Sequence, residues 1–310
     1  MAVDFSKKVT GGYSDMTTIP DYLDASTNDK RRMLMYNLFY RFYVGRHWRY
    51  ASEEGIPQLT FNYCKAFVDK SVSFLVGKEF RINSLDEKNK DLVESELNRI
   101  WADCGKGLLS LEIAQMGSVT GDAWVKVGYD DGLGRCMITP ITPTIVFPKW
   151  DPLNMRRLLE VNIVHKFSKS KDAVDSASRD KKKSESHTYR EKITPDEIVE
   201  YLDGEEVEGS RRENILGVMP VVHIRNIPVA NATYGMSDLQ PLVSVNKEFN
   251  EKATDLTDTL NYQGSPVVVI KGAKARNLER GPNQVWGGLP KDASVSTLDI
   301  GSATKPMMEY

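Results

Sequence analysis

Cysteine is scarce in this chain. Cys64, Cys104 and Cys136 are the only three, forty and then thirty-two residues apart. An odd number at such spacing makes neither a disulfide framework nor a Cys-x-x-Cys zinc pair, and points to a reducing compartment. Long apolar runs are missing as well. No stretch of about 18 apolar residues occurs, so no membrane-spanning helix is expected. The polar start MAVDFSKKVTGGYSD has no apolar segment of the kind a secretion signal needs. Nor is there an excess of one charge: 41 Lys and Arg stand against 43 Asp and Glu, a formal net charge of −2. That excludes a global attraction to polyanions, so any contact with nucleic acid has to be local or weak.

The signatures of catalysis are absent too. Gly77-Lys78 and Gly105-Lys106 lack both the upstream glycine and the following Ser or Thr of a phosphate-binding loop. Gly132 and Gly134 fall in a hairpin turn, not after a strand that opens a helix. There is no Gly-x-Ser-x-Gly elbow and no His-Glu-x-x-His. His47, His165, His187 and His223 are scattered singly, and Asp130-Asp131 and Glu205-Glu206 sit in turn-like sequence without companions. Asn231-Ala232-Thr233 matches a glycosylation sequon, but nothing indicates secretion. No catalytic residue, metal ligand or cofactor is assigned, and the chain is expected not to be an enzyme.

What is present is enough for a core. The hydrophobic fraction is 40% and the charged fraction 27%, which suit one large or two smaller domains with a wet surface. Residues 1–25 are rich in Gly, Ser and Thr and read as an arm. A helix is expected over 29–44, capped by Ser26, Thr27 or Asn28. Its aromatic residues cover more than one face, so it is either deeply buried or shared with a neighbouring subunit. Arg46, His47, Trp48, Arg49 and Tyr50 then interleave charge with rings. Such a cluster either stacks on nucleic acid or packs its rings at a helix end while the arginines reach for solvent.

Further helices are expected over 63–76, 86–103 and 108–120, with a short strand at 80–82. From Asp122 the period drops to two. Residues 123–127 and 136–138 read as a hairpin around Asp130-Asp131-Gly132, followed by strands at 146–148, 158–165, 198–202 and 218–224. The Lys-, Ser- and Asp-rich stretch 167–190, with Lys181-Lys182-Lys183, reads as a solvated loop. Another loop is expected over 226–233.

Residues 235–272 organise the rest. Ser237 can cap a helix, with Gln240 returning the bond, and Pro241 falls in the first turn. Leu239, Leu242, Phe249, Ala253, Leu256 and Leu260 form one stripe, with Asn246 the single polar intruder. Gly264 and Pro266 stop the helix. Residues 238–262 would span about 37 Å at about 1.5 Å per residue. The pattern fits a protruding strut, and on spacing alone it fits an ordinary core helix better. Strands are expected at 267–270 and 285–286 around a Gly/Pro-rich turn. Lys271, Lys274, Arg276, Arg280 and Lys291 make this tail locally positive against Glu279 and Asp292. The residues alone therefore describe a soluble α+β chain with a long helix and no visible active site.

Several segments, in order over nearly the whole chain, resemble the portal proteins of tailed bacteriophages. They are Phe42-Tyr43-Val44-Gly45 with Trp48; TFNYCKAFVDKSVSFLVGK at 60–78; Gly121-Asp122-Ala123-Trp124-Val125-Lys126-Val127; Pro220-Val221-Val222-His223-Ile224-Arg225-Asn226; and Gly235-Met236-Ser237-Asp238-Leu239 leading into a helix with Asn246 and Asp255, then Pro266 and Gly272. The resemblance implies a ring of twelve identical subunits at one vertex of the capsid, assembled in the host cytoplasm and carried in the virion. Double-stranded DNA would pass through it, driven in by a separate terminase. The implied partners are the major capsid protein, the terminase large subunit and a head–tail adaptor, with no membrane. It also implies an α+β portal fold: an α/β wing at 1–234, a stem helix at 235–264, and a small β-rich clip from 265 to 310. Portal proteins return from the clip through a second stem helix, a tunnel loop and a crown. None of these lies within the 310 residues, so no channel-lining loop is assigned. Leu242, Phe249, Leu256 and Leu260 are the residues expected to pack between subunits. Lys271, Lys274, Arg276 and Arg280 are those expected to meet DNA, terminase or adaptor. The alternatives are a phage nucleic-acid-processing enzyme using scattered carboxylates and a scaffold or adaptor that binds only protein.

Overall fold

The computed structural model describes residues 27–48, 58–78, 82–169, 185–264, 268–272 and 291–297. Two compact units divide the chain: residues 1–46 with 62–243, and residues 47–61 with 244–310.

The first unit opens with four helices, α1 (Thr27–Tyr43), α2 (Tyr63–Val76), α3 (Lys90–Asp103) and α4 (Gly107–Thr120). Helix α2 shows how the sequence sets them. Asn62 accepts the Lys65 N–H at 3.0 Å as a side-chain cap. Cys64, Val68 and Val72 recur every four residues and are buried. With Phe39 and Phe42 of α1, Val119 of α4, and Leu239, they make one apolar cluster. Burial pushes the Cys64 thiol up to about 11, so it behaves as a small apolar side chain. Helix α3 buries none of its residues.

The strands are β1 (Asp122–Asp130), β2 (Arg135–Ile141), β3 (Val146–Asp151), β4 (Asn154–Lys169), β5 (Glu185–Ile193), β6 (Glu197–Leu202), β7 (Glu205–Glu206), β8 (Arg212–Glu213) and β9 (Val221–Arg225). Strands β2-β1-β9 form a three-stranded antiparallel sheet. Strands β3-β4-β5-β6-β7 form a larger one, with β8 also on β6. Register decides which side chains meet. Val146 pairs with Ile163, and Val161 with Ile193, so all four share a face. That face packs on Trp124, Ile141 and Val221 of the smaller sheet to form the main core. Lys126 spans from the smaller sheet to Glu191 of the larger at 2.6 Å. Phe147 and Val164 point the other way and are covered by Met33 and Tyr36 of α1. Mixed helix and antiparallel sheet make this an α+β fold.

The second unit holds most of α5 (Leu242–Gly264) and the ribbon β10 (Val268–Lys271) with β11 (Ser294–Thr297), paired antiparallel.

Several expectations need correction. Helix α3 starts at Lys90, not near residue 86. The stretch read as a solvated loop gives its two ends to strands: β4 runs to Lys169 and β5 begins at Glu185, paired from Val161↔Ile193 to Lys169↔Glu185. Helix α5 begins at Leu242 rather than beside Ser237. Residues 238–241 form a turn, and the helical ladder starts after it. Ser237 instead accepts the Leu239 N–H at 3.0 Å, and Gln240 reaches Ser237 through its backbone N–H. The arm at 1–25, the strands expected at 80–82 and 285–286, the lysines at 181–183 and Pro266 lie outside the described residues, apart from Ile82, which is not in a strand.

Candidate assembly site: the root and faces of helix α5

The segments just before α5 are fastened by backbone contact. Gly121 follows α4 with φ +93°, a conformation that L side chains rarely adopt. A Cβ there would stand 2.7 Å from the Gly235 carbonyl oxygen and 2.8 Å from the Ser237 nitrogen. A Cβ on Gly235 would stand 2.2 Å from the Gly121 carbonyl oxygen. The two glycines are thus where two stretches of chain touch. Hydrogen bonds close the joint. Asn226 N–H donates to Gly121 O, and Asp238 N–H to Ser118 O. The Ser118 hydroxyl donates to Asp238 at 2.6 Å, and the Ser237 hydroxyl to Val119 O at 2.6 Å.

Asp122 is the hub beside it, and its side chain is almost wholly buried. It accepts from Tyr36 Oη at 2.5 Å, from His223 Nε2 at 2.7 Å and from the Gly235 N–H at 2.8 Å. Three donors from α1, β9 and the approach to α5 offset the cost of burying the carboxylate. His223 stacks on Trp124 with centroids 4.3 Å apart and meets Trp150 and Tyr234 at its other sides. Arg32 lies over the Tyr234 and Tyr36 rings. Burial opposes its charge, yet the two tyrosines and Asp29 hold it protonated above the ordinary range. Burial, reinforced by Asp122, pushes Tyr36 well above the usual phenol range, although Arg32 works against it. In the sequence His223 stands as one of four scattered histidines, 101 residues from Asp122. Here they form a fastening within the fold rather than a general acid and base open to substrate.

Within the second unit, α5 presents two different faces. Asn246, Asn250 and Thr254 stand four residues apart on one side, and all three are buried. They hold residues 58–61 as a strap. Asn246 Nδ2 donates to Phe61 O at 2.9 Å, Phe61 N–H donates to Asn250 Oδ1 at 2.9 Å, and Leu59 N–H donates to Thr254 Oγ1 at 3.1 Å. Because Asn250 Oδ1 accepts from Phe61, its Nδ2 faces buried His47, where Nδ1 accepts at 2.6 Å. Trp48 Nε1 donates to Thr60 Oγ1 at 3.0 Å. The basic aromatic cluster therefore packs within its own unit at His47 and Trp48, while Arg49 and Tyr50 lie outside the described residues. Asn246 is no intruder but the first rung of a polar ladder.

The neighbouring face is apolar and open. Val245 is 66% exposed, Phe249 45% and Leu260 46%, with Leu256 half-buried among them. Phe61, 43% exposed, adds its ring to this face, edge-on to Phe249 at 5.5 Å. Leu242 lies elsewhere: it packs with Leu239 and Val243 against the α1–α2–α4 cluster. Phe61 and Val245 were not singled out from the sequence. Val245 sits one position from Asn246, and only the strap tells which side of the helix is covered. The outer edge carries Lys247–Glu251 and Lys252–Glu248 pairs at 3.6 and 3.7 Å, exposed and of little energetic weight.

Of the basic residues expected to bind a partner, Lys271 is exposed at the end of β10. Lys274, Arg276 and Arg280 lie outside the described residues. No helix among the described residues is long and apolar enough to cross a membrane, and no group of three or more His, Cys, Asp or Glu among them could hold a metal ion.

Comparison with curated proteins finds no match. Comparison with protein-family profiles matches residues 23–310 to the family described as phage portal protein, SPP1 Gp6-like. That match takes in the fastened glycines, the Asp122 hub, the strap and α5, and the chain belongs to this portal protein family.

Proposed function

We propose that this chain assembles with identical copies into a closed ring at one vertex of a phage capsid and conducts double-stranded DNA during packaging and ejection. The observation that carries this reading is the open apolar face of α5. The helix has already covered its inner side with a polar strap of its own chain, and Val245, Phe249 and Leu260 are still left to solvent. A heterologous contact that closes on itself covers such a face on every copy at once. In this assignment 1–234 is the wing, 235–264 the stem, and 265–310 the clip. Lys271 with Lys274, Arg276 and Arg280 faces the terminase large subunit, the head–tail adaptor or the DNA. The major capsid protein surrounds the ring, for which the family resemblance gives twelve subunits.

The charge balance suits the role. A duplex sliding through must not be held, and each phosphate contact adds affinity that slows it. A net charge of −2 keeps attraction confined to short patches. No catalytic step is needed of this chain, because the motor is separate.

Phe249→Asp tests the assignment. It places a charge at the centre of the open face and removes the ring that Phe61 meets, while Asn246, Asn250 and Thr254 keep their hydrogen bonds to the strap. Native mass spectrometry is expected to find the wild type as one large oligomer and the variant as monomers with unchanged circular dichroism. A normal oligomer from the variant refutes the role given to this face.

A further inference from the structure

A second surface, in the first unit, is built to be met by something. Asn214 is buried, and its side chain holds up the loop that follows β8. Its Nδ2 donates to Thr194 O at 3.1 Å, Pro195 O at 2.8 Å and Val218 O at 2.7 Å. Its Oδ1 accepts the Leu216 N–H at 3.2 Å. Its own N–H donates to Asp196 O at 2.8 Å, and Gly217 turns the chain with φ +62°. The result is a pinned loop that lifts Ile215 almost fully into solvent, 97% exposed, with Leu216 and Val218 beside it. An aliphatic knob held this firmly loses little conformational freedom on binding.

A groove of about 660 Å³ runs next to the knob, lined by Thr194, Pro195, Asp196, Glu213 and three arginines. Each arginine already has a carboxylate. Arg211 holds Glu197 at 2.6 Å and Glu206 at 2.8 Å, Arg212 holds Glu200 at 3.3 Å, and Arg157 stands 3.9 Å from Asp151. Asp196 and Glu213 have no ion pair among the described residues, so two carboxylates of the groove are left unmatched.

Helix α2 carries the complement. Its inner face is packed on α1 and α4. Its outer face exposes Tyr63, Phe67 and Phe74, four and seven residues apart, with Leu75 beyond them. Lys70 lies over the Phe74 ring at 4.8 Å, and Lys78 follows just past the helix. Neither lysine has an ion pair among the described residues. The knob is aliphatic with two unmatched carboxylates; the helix is aromatic with two unmatched ammonium groups. The two lie on different elements of one chain, since the loop is bonded to the β5–β6 turn and α2 packs on helices.

We propose that the 213–218 knob and its groove dock helix α2 of a second copy of this chain. The contact is head-to-tail, Ile215 against Phe74 and Phe67, with Lys70 and Lys78 toward Glu213 and Asp196. It rests on the ring reading above and names an interface that this reading leaves open.

Paired cysteines test it. The double variant Phe74→Cys/Ile215→Cys, treated with oxidised glutathione, forms a disulfide between copies as two thiols lose two electrons and two protons to the oxidant. Non-reducing gels are expected to show a ladder that extends beyond the dimer, absent from either single variant and from wild type. A ladder that stops at the dimer, or one formed by Phe74→Cys alone, overturns the head-to-tail contact. Charge reversal gives the second readout. Lys70→Glu and Glu213→Lys should each raise the concentration for half-assembly about tenfold, and together restore it; two additive losses overturn the pairing. The mass of the unmodified wild type separates the two ideas. A large oligomer without a ladder sinks this interface and leaves the ring, whereas a wild-type monomer sinks the ring itself.

Discussion

Gly121 and Gly235 meet backbone to backbone, and a side chain at either position has nowhere to go. Gly121→Ala adds the strain of a positive φ to a clash with main-chain atoms that cannot swing aside. Either Gly→Ala variant is expected to lose at least about 2 kcal/mol in chemical denaturation. Gly128 in β1 has open space where a Cβ would go, and Gly128→Ala is expected to change stability by less than about 1 kcal/mol. Equal effects at the three positions would mean that the joint is not tight. Glu160 gives a pH-dependent counterpart. Burial raises its carboxyl, but Asn162 at 2.7 Å and Lys149 at 3.1 Å outweigh that and hold it below the ordinary value of 4.5. A folded value below the unfolded one stabilises the protein above pH 4.5, and that stabilisation is lost as pH falls through the folded value. Denaturation midpoints measured from pH 7 downward should therefore converge for wild type and Glu160→Gln once the pH has fallen through the folded value, below 4.5. A gap that stays constant with pH contradicts the assignment.

Among the elements, α5 with its strap is the one whose behaviour is least ordinary. An extended segment is held to a helix by side chains rather than by a sheet partner. Asn250→Ala removes the side chain that accepts from the Phe61 N–H and donates to His47 Nδ1, a cost of about 1–3 kcal/mol. Hydrogen exchange at the Phe61 amide should accelerate at least tenfold, with Leu59 following if the strap peels as a unit, while β1 is unchanged. A Phe61 amide that stays protected would show that the ladder does not hold the strap. The sequence reveals α2 almost to the residue, because its Cys64–Val68–Val72 face and Asn62 cap are local signals. It misreads α5's inner face, because a backbone strap asks for amides and hydroxyls where periodicity expects leucine. It also hides the inner ends of β4 and β5, whose polar residues pair only because the preceding Val161–Ile193 register carries them together. The glycine motifs were visible as motifs; their cause, a contact across more than a hundred residues, was not.

For the whole molecule, the family match fixes the kind of protein, and the proposed contacts between copies fall on its open surfaces. The first unit buries its core between two sheets and helices α1, α2 and α4 yet leaves the knob and the α2 stripe to solvent. The second binds its own strap yet leaves Phe61, Val245, Phe249 and Leu260 outside. In the proposed ring these exposed apolar faces are the ones that other copies of the chain cover. The most direct measurement is an averaged end-on electron-microscope view of the purified protein, with its mass in solution. A closed annulus around a central bore is expected, weighing about twelve times the 34.9 kDa chain. A particle with the mass of one chain and no bore contradicts it.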